Sequence, residues 1–497
     1  MLITLLDYFS EKKRIELSAK IQYKLNEEAF SHLLNVKMEY YDKSNYTEAY
    51  STLNIDISNM ASITDAGVFF VVTQAFSIIG GIIGLFILDY RMTIIVLFII
   101  PVKYVVMKYF AQKRKVLMDS FIEFNKDYAK WFGDAIGGVR DIRLLGIIDK
   151  KKGEFSTKQK KIIGELKSLN MLSQRNMSID TIMMQVLVLV IYILGANLVF
   201  KMGLTVGTVF AFITYSAYVT GPISAMLNVK YILSGIIPST KRYYDFLSEP
   251  MENVVEGEKI TDWDKITFVE TTFSYDKNTP AVENINLSIV KGCKTAIIGK
   301  NGSGKSTLVE LLLRLRNPQK GKIKLGNIDI EKFSIVKYRE LFAVVSQDVY
   351  LFDDSIRNNI CLFRDISDSS IIKACEESGL SDFIKDVSLE YKVGSNGVML
   401  SGGQKQKVAL ARALVLDRPI FILDEVTSNA DASSELQINS LLRTRLKEKT
   451  VIVISHRESV LKEMDQIILM DSGRIVQVVD YERMIESDVY KGLINEI

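Results

Sequence analysis

Residues 299–306 carry the clearest chemical pattern in the chain, a glycine-rich loop that ends in lysine and serine. The segment TAIIGKNGSGKSTLVELLLRL (295–315) has the pattern of an apolar strand, this loop and an amphipathic helix, and the loop fits G-x-x-x-x-G-K-[ST]. Glycines let backbone N–H groups turn toward a phosphate, and the helix start adds a favourable dipole. We therefore predict that Lys305 bridges the β- and γ-phosphates of a nucleotide and that Ser306 ligates Mg²⁺.

A second stretch, RPIFILDEVTSNAD (418–431), is an apolar strand that ends in two carboxylates. Asp424, at the end of the strand, is placed to hold the Mg²⁺ shell, and Glu425 is placed to polarise an attacking water. By itself this pattern is only moderately specific, because an Asp-Glu pair after a strand is often a solvated turn.

The stretch VMLSGGQKQKVALARAL (398–414) is another glycine-rich helix start, with no lysine and no strand before it. Such a helix N-terminus donates well to a phosphate. Taken alone it also reads as a turn capped by Ser401. Because it lies about twenty residues before the acidic pair, it resembles the signature motif of ATP-binding cassette (ABC) proteins, and the resemblance extends over 266–497.

The resemblance implies roles for further residues. Tyr275 matches the aromatic residue that stacks on adenine, and Gln347 matches the glutamine that reaches Mg²⁺ and the attacking water. Asp431 ends the turn that contacts the opposite subunit, and His456 matches the histidine that touches the γ-phosphate. The residues implied in catalysis are Glu425, His456 and Gln347. The residues implied in metal binding are Ser306, Gln347 and Asp424. The residues implied in nucleotide binding are Tyr275, Gly299, Asn301, Gly302, Ser303, Gly304, Lys305, Ser306, Thr307, Ser401, Gly402, Gly403, Gln404 and Asp431.

A partner chain is also implied by the resemblance. In this family two cassettes close head to tail, so that Ser401 and Gly403 of one chain bind the γ-phosphate held by Lys305 of the other. We therefore expect ATP and Mg²⁺ as cofactors and a second half-transporter, identical or different, as partner. The family usually carries a glutamate before the signature that contacts a coupling helix; this chain has Ser395 there, so that contact does not carry over.

Long uncharged runs in the first half of the chain predict a membrane domain, to which the nucleotide-binding half is joined. Residues 66–88, 181–200 and 204–229 contain no Asp, Glu, Lys or Arg, and each is long enough to cross a hydrocarbon core of ~30 Å. A weaker fourth run, 92–110, contains Lys103, which we expect to snorkel to the interface from the end of the span.

The charge of the connecting segments predicts the orientation of these spans. The segment 108–179 holds sixteen Lys and Arg residues, so the positive-inside rule places it in the cytosol. Its apolar residues recur at helical spacing up to a break at 148–153, which predicts two membrane helices continued into the cytosol and joined by a short tip.

The first half resembles the membrane domain of ABC exporters, in GVRDIRLLG (138–146) and in 195–223. That domain has six helices whose cytosolic tips, the coupling helices, press on the cassettes, and here the tips are expected near 38–48 and 148–158. We predict an all-α polytopic membrane domain at 1–246, a linker at 247–265 and, at 266–497, an α/β P-loop NTPase of the ABC type with a helical subdomain.

The opening MLITLLDYF stops at a charge too early for a spanning helix, and no positive charge precedes it as in a signal peptide. An apolar stripe repeating every four residues makes 12–34 an amphipathic helix. Since four spans are counted where the family has six, our hypothesis is that the chain is a truncated or mis-started product lacking the first one to two membrane helices.

Composition narrows the function classes. A net charge of +3 is too small to indicate a nucleic-acid partner, and three cysteines without metal-like spacing indicate reduced thiols in a cytosolic setting. We expect a multi-pass protein, with the cassette in the cytosol of a bacterium, that exports a substrate by hydrolysing ATP. The alternatives are a transport-defective remnant with an intact ATPase, a non-transport cassette ATPase, and an importer. Peptide, lipid and amphipathic drug all remain open as substrates.

Overall fold

This computed structural model describes residues 2–43, 46–66, 68–202, 204–252, 257–260, 262–276, 279–426, 432–487 and 490–491. Within these residues, nine helices lie in the first half of the chain. They are α1 (Leu2–Asn35), α2 (Met38–Lys43), α3 (Tyr46–Ala61), α4 (Ile63–Ala66), α5 (Val68–Leu88), α6 (Tyr90–Gly137), α7 (Val139–Leu144), α8 (Ile148–Met202) and α9 (Val206–Leu247).

The apolar runs of the sequence lie in four of these helices. By length and composition, and among the described residues only, Tyr90–Gly137 and Ile148–Phe200 are long and apolar enough to cross a membrane, and Val72–Leu88 is a shorter apolar helix. Polar side chains start two of the four: Asp89 accepts from the backbone of α6, and Thr205 accepts from that of α9. The predicted spans 92–110 and 181–200 lie inside α6 and α8.

Residues 1–31 and 46–248 form one compact unit. Inside it α5 packs on α9 and α6 packs on α8. A small apolar core lies among them, whereas many large apolar side chains of the same helices face outward, among them Phe76, Ile87 and Phe98. An apolar exterior around a small core is what a hydrocarbon solvent requires. The buried core residues are Leu85, Met92, Val96, Leu187, Ile191, Val209, Phe212 and Val219.

Lys103 lies inside this unit and does not snorkel, so the sequence expectation for it is wrong. Its side chain is buried, with 2% of the residue exposed. The ammonium forms an ion pair of 2.8 Å with Asp180 of α8 and donates to the carbonyl of Thr220 of α9, 2.9 Å away. Partners on two neighbouring helices compensate the lysine charge, so it stays within the helix bundle.

The tip between α6 and α8, expected at 148–158, also lies elsewhere in the structure. The chain turns at residues 138–147, where Gly138 ends α6 and Gly146 adopts a left-handed conformation with φ +66°. Residues 148–158 form the first turns of α8, in which Lys151 pairs with Glu154, 2.8 Å away. The charges read as a break therefore stabilise a helix start. At the other predicted tip, 38–48, the structure has α2.

Residues 32–45 and 249–497 form the second compact unit. Its strands are β1 (Lys265–Phe273), β2 (Val282–Val290), β3 (Lys294–Gly299), β4 (Lys320–Leu325), β5 (Ile328–Asp329), β6 (Phe342–Val345), β7 (Ile420–Asp424), β8 (Thr450–Ile454), β9 (Gln466–Asp471) and β10 (Arg474–Val479). They form an antiparallel sheet of order β2-β1-β4-β5 and a sheet of order β10-β9-β3-β8-β7-β6, in which β9, β3, β8, β7 and β6 run parallel.

Helices cover these sheets and build a helical subdomain. They are α10 (Lys305–Leu312), α11 (Ile335–Arg339), α12 (Ile356–Cys361), α13 (Asp368–Glu377), α14 (Ser381–Val387), α15 (Gly402–Leu416), α16 (Ala432–Arg443), α17 (Glu458–Leu461) and α18 (Tyr481–Glu486), with 3-10 turns at Ile330–Lys332 and Ser395–Gly397. The apolar residues of α12, α13 and α15 share one buried core with β6 and β7, which fixes the start of α15 relative to the parallel sheet.

Candidate nucleotide-binding site

The glycine-rich loop joins β3 to α10 through backbone conformations that only glycine takes easily. Gly304 begins the helix with φ +97°, and a Cβ atom there would lie 2.5 Å from the carbonyl oxygen of Ala281. The Lys305 ammonium is buried and donates to the carbonyls of Gly299 and Lys300, at 2.6 and 2.9 Å. The loop therefore wraps closely around its own lysine and lies at the start of a helix, where an anion binds favourably.

Parallel strand ends gather the other predicted residues at one edge of the sheet. β8 lies between β3 and β7, and Asp424 is in register with Ile454. Because β6 pairs with β7, Gln347 also follows a strand that ends at this edge. The carboxyl ends of adjacent parallel strands are where open α/β sheets bind ligands. The structure thus brings Lys305, Gln347, Asp424, Glu425 and His456 together.

Burial makes Asp424 an unusual carboxyl group. Desolvation, together with the negative charges of Glu425 and Asp348, raises its pKa to about 6, although the Lys305 ammonium acts in the opposite direction. Its Oδ1 atom is buried and has no hydrogen-bond partner among the described residues. A buried carboxylate oxygen of this kind fits a hard cation, and Mg²⁺ prefers oxygen ligands such as the Asp424 carboxylate, the Ser306 hydroxyl and the Gln347 amide oxygen.

Glu425 is held in a left-handed backbone conformation, with φ +49°. Its N–H donates to the carbonyl of Ile454 at 3.0 Å, and its Oε2 accepts from the Nε2 of Gln347 at 2.7 Å. A non-glycine residue at positive φ persists only where its surroundings impose it, and such residues concentrate at functional sites. The sequence implied roles for both residues but did not predict their direct hydrogen bond.

Lys305 and His456 both have lowered pKa values. Desolvation lowers the pKa of Lys305, while Glu425 and Asp424 act in the opposite direction. Partial burial lowers the pKa of His456, and the charge of Lys305 lowers it further. The histidine is therefore neutral at pH 7 and able to donate one hydrogen bond to a phosphate.

Tyr275 lies beside α10 and keeps 53% of the residue exposed. Its hydroxyl donates to Glu310 at 2.9 Å and lies 3.1 Å from the hydroxyl of Thr307, and Phe273 packs edge-on against its ring. A fixed aromatic ring with free surface next to a phosphate cradle is suited to stack on a base. Glu310 was not among the predicted residues, since a glutamate on a helix carries no local signal of a tyrosine partner.

The signature residues sit at the start of α15, where Ser401 and Gln404 form a reciprocal capping box. Ser401, Gly402 and Gly403 are exposed, and Ser401 exchanges hydrogen bonds with Gln404 inside the helix start. A groove of about 640 Å³ runs from this start to residues 347–350. The exposed loop is thus open to another molecule. The predicted Asp431 lies outside the described residues.

Comparison with known proteins gives family matches to both halves of the chain. Residues 6–223 match the model of the ABC transporter transmembrane region, and residues 282–428 match the model of the ABC transporter. The two matches cover the helical half and the cassette half in the predicted order.

Similar proteins extend over nearly the whole chain. The ATP-dependent lipid A-core flippase of Idiomarina loihiensis is 30% identical over 481 residues, which are 94% of this chain and 82% of that protein. The protein of the same name from Escherichia coli (strain K12) is 28% identical over 487 residues, 95% of this chain and 82% of its own length.

A solved structure of a bacterial Atm1-family ABC exporter with ATP bound superposes with a TM-score of 0.86 at 21% identity, covering 99% of this chain and 88% of that chain. Together with the family matches, this similarity confirms the predicted fold class of an all-α membrane domain followed by an α/β P-loop cassette.

Proposed function

Because the chain belongs to the ABC transporter family and couples ATP hydrolysis to export across a membrane, we propose that two half-transporters of this kind work as a dimer with Mg²⁺ as the metal ion. The observation that carries the proposal is the convergence of Lys305, Gln347, Asp424, Glu425 and His456 at the ends of adjacent parallel strands. Each of these groups suits one part of phosphoryl transfer to water.

In the proposed site Lys305 exchanges its two backbone carbonyl partners for β- and γ-phosphate oxygens, and Tyr275 stacks on the adenine. Ser306, Gln347 and Asp424 would hold the cation, which would neutralise negative charge on the phosphates. His456 donates from its neutral imidazole to the γ-phosphate. Ser401 and Gly403, which face solvent in a single chain, complete the site of the partner chain.

Glu425 is proposed as the general base. Its carboxylate accepts a proton from the attacking water, and Gln347, bonded to it at 2.7 Å, holds that water beside the carboxylate. Binding of ATP closes the two cassettes and turns the cavity of the membrane domain outward. Hydrolysis removes the γ-phosphate that joins the cassettes and so resets the transporter.

For the substrate we propose an amphipathic lipid. Two relatives that match over most of their length are named lipid A-core flippases, and the outer surface of the membrane helices is apolar. Lipid stimulation of the ATPase, measured in vesicles against peptides and amphipathic drugs, tests this class directly. Stimulation by peptides alone would contradict it. Because the segment 108–179, which connects two apolar helical runs, is rich in Lys and Arg, the chain is proposed to sit in a bacterial plasma membrane with the cassette in the cytosol.

The variant Glu425→Gln tests the role of the base. The amide keeps the size and the hydrogen bond to Gln347 but cannot take up a proton, so we expect ATP binding within about threefold of wild type and turnover lowered by about 10²–10⁴-fold. Both are measured on the full chain in lipid, by binding of a nucleotide and by phosphate release.

Glu482→Gln is the matched control, since Glu482 is exposed on α18 and the change removes the same charge away from the site. It should hydrolyse ATP at the wild-type rate. Undiminished hydrolysis by Glu425→Gln would refute its assignment as the base, whereas equal losses in both variants would point to a general effect of charge.

A further inference from the structure

Residues 32–43, here called the docked segment, belong to the cassette unit although residues on both sides of 32–45 belong to the helical unit. Two backbone hydrogen bonds attach the segment to the chain after α9: Lys37 donates to Pro250 at 3.0 Å, and Glu252 donates to Asn35 at 2.7 Å. The Glu252 carboxylate in turn accepts two hydrogen bonds of 2.8 Å from Arg339. The docked segment is thus fixed to the cassette at its start.

A second attachment lies at its end and involves a buried arginine. The two carboxylate oxygens of Asp42 pair with the two terminal nitrogens of Arg316, one of them at 2.8 Å. Arg316 is only 6% exposed, whereas Asp42 keeps access to solvent. A bidentate pair on a buried guanidinium is directional and strong, because it combines charge with two aligned hydrogen bonds.

The same guanidinium reaches the tyrosine of the nucleotide site. Its central carbon lies 4.9 Å from the centre of the Tyr275 ring, within the range of a cation–π contact. Its Nε donates to Glu310 at 3.2 Å, and the same Glu310 oxygen accepts from the Tyr275 hydroxyl. Arg316 therefore contacts the ring of Tyr275 and shares the Glu310 carboxylate with the Tyr275 hydroxyl. The two terminal nitrogens of the same guanidinium pair with Asp42.

We propose that Arg316 is a positioning residue that sets the Tyr275 ring for the purine of ATP and ties that ring to Asp42 of the docked segment. The inference rests on the proposed stacking of Tyr275 on adenine. The two arms of the guanidinium have separate partners, so displacement of Asp42 leaves Arg316 less constrained over the ring. Coupling of this kind is reciprocal: purine binding stabilises the docked position of the segment to the same degree.

The test is a set of steady-state ATPase measurements on the full chain in lipid nanodiscs. Arg316→Ala should raise KM for ATP about three- to tenfold with kcat changed less than twofold, the range of one desolvated cation–π contact. Arg316→Lys should recover part of the loss. Asp42→Asn should raise KM about two- to threefold, and neither change should add to the effect of Tyr275→Ala. Arg357→Ala, which removes a remote arginine paired with Asp368 and Glu390, is the control and should leave KM unaltered.

The outcomes separate the two proposals. If Tyr275→Ala raises KM but Arg316→Ala and Asp42→Asn do not, the positioning role is wrong and stacking stands. The positioning role is also wrong if the increases in KM caused by Arg316→Ala and Tyr275→Ala multiply in the double variant, because the two residues then act independently. If Tyr275→Ala leaves KM unchanged, the stacking assignment fails, and this inference fails with it. If Arg316→Ala does not fold, Asp42→Asn replaces it in the test, because Asp42 is exposed. Its effect on KM is then compared between the wild-type and the Tyr275→Ala backgrounds.

Discussion

His456 connects the chemistry of the site to its pH dependence. Partial burial and the Lys305 ammonium hold its pKa below the ordinary value of 6.5, while Glu425 opposes the shift. The unfolded chain therefore takes up this proton before the folded chain does. Stability that depends on the neutral imidazole is present above pH 6.5 and is lost as the pH falls below it.

We expect the melting temperature of the nucleotide-free protein to fall less between pH 7.5 and 5.5 in His456→Gln than in wild type. The difference should be about 1–2 °C, because the imidazole keeps contact with solvent. Differential scanning fluorimetry measures it. The raised pKa of Asp424 has the opposite sign but is common to both proteins, so it cancels. An equal fall in both would show that His456 does not titrate as described.

At the residue scale, the sequence predicts which residues meet when each of them comes after a recognisable apolar strand. Lys305, Asp424 and His456 each follow an apolar strand, and parallel strands end at one edge of a sheet, so their meeting follows from the pattern. Arg316 could not be found in this way. Its partner Asp42 is 274 positions away in the chain, and neither residue lies in a recognisable motif.

At the scale of elements, the ion pair between α6 and α8 is asymmetric in its exposure. Lys103 is 3% exposed in its side chain and Asp180 is 32% exposed. Among the described residues, removal of the aspartate leaves the buried ammonium with the Thr220 carbonyl as its partner, whereas removal of the lysine leaves a carboxylate that is one-third exposed. The cost of losing one partner is greatest where the other is fully desolvated.

We therefore expect Asp180→Asn to destabilise the protein by about 3–5 kcal/mol and Lys103→Met to destabilise it less. The double variant should recover much of the loss of Asp180→Asn, since it removes both charges. The stabilities of the three variants are compared by heating the purified proteins in detergent and measuring, by size-exclusion chromatography, the fraction that remains folded. The reverse order of the single variants would contradict the described burial.

The two element-level errors of the sequence analysis have a common physical origin. The lysine in an apolar run is predicted to snorkel to the membrane interface, and the cluster of charges at 148–153 is predicted to break a helix. Lys103 instead pairs across helices, and Asp149 to Glu154 stabilise the first turns of α8 through pairs such as Lys151 with Glu154. Charge patterns predict polarity, but partners from other elements or one turn away decide the conformation.

At the scale of the whole molecule, the proposed sharing of nucleotide sites between two chains can be tested by mutation, without a structure of the dimer. A Cβ atom added at Gly403 meets no atom within 4 Å, and no positive φ restricts the residue. Gly403→Asp should therefore leave the single chain folded while placing a negative charge where the partner's γ-phosphate would bind.

Each homodimer of Gly403→Asp or Lys305→Ala should have two defective composite sites and lose about 90% or more of its ATPase activity. Co-expression of the two variants with different affinity tags should give a heterodimer with one intact site and measurable recovery. Gly403→Ala, which adds no charge, is the control and should lose less. Absence of recovery in the purified heterodimer would contradict sites shared between chains.

The docked segment also has a consequence for biosynthesis. Asp42 leaves the ribosome 274 residues before Arg316, which at about 5–20 residues per second is a delay of about 14–55 s. During that time the early part of the chain lacks the surface on which it finally docks. Completion of the N-terminal half thus depends on folding of the C-terminal half, and a folding defect in the cassette is expected to appear first as proteolysis near residue 42, far upstream in the chain.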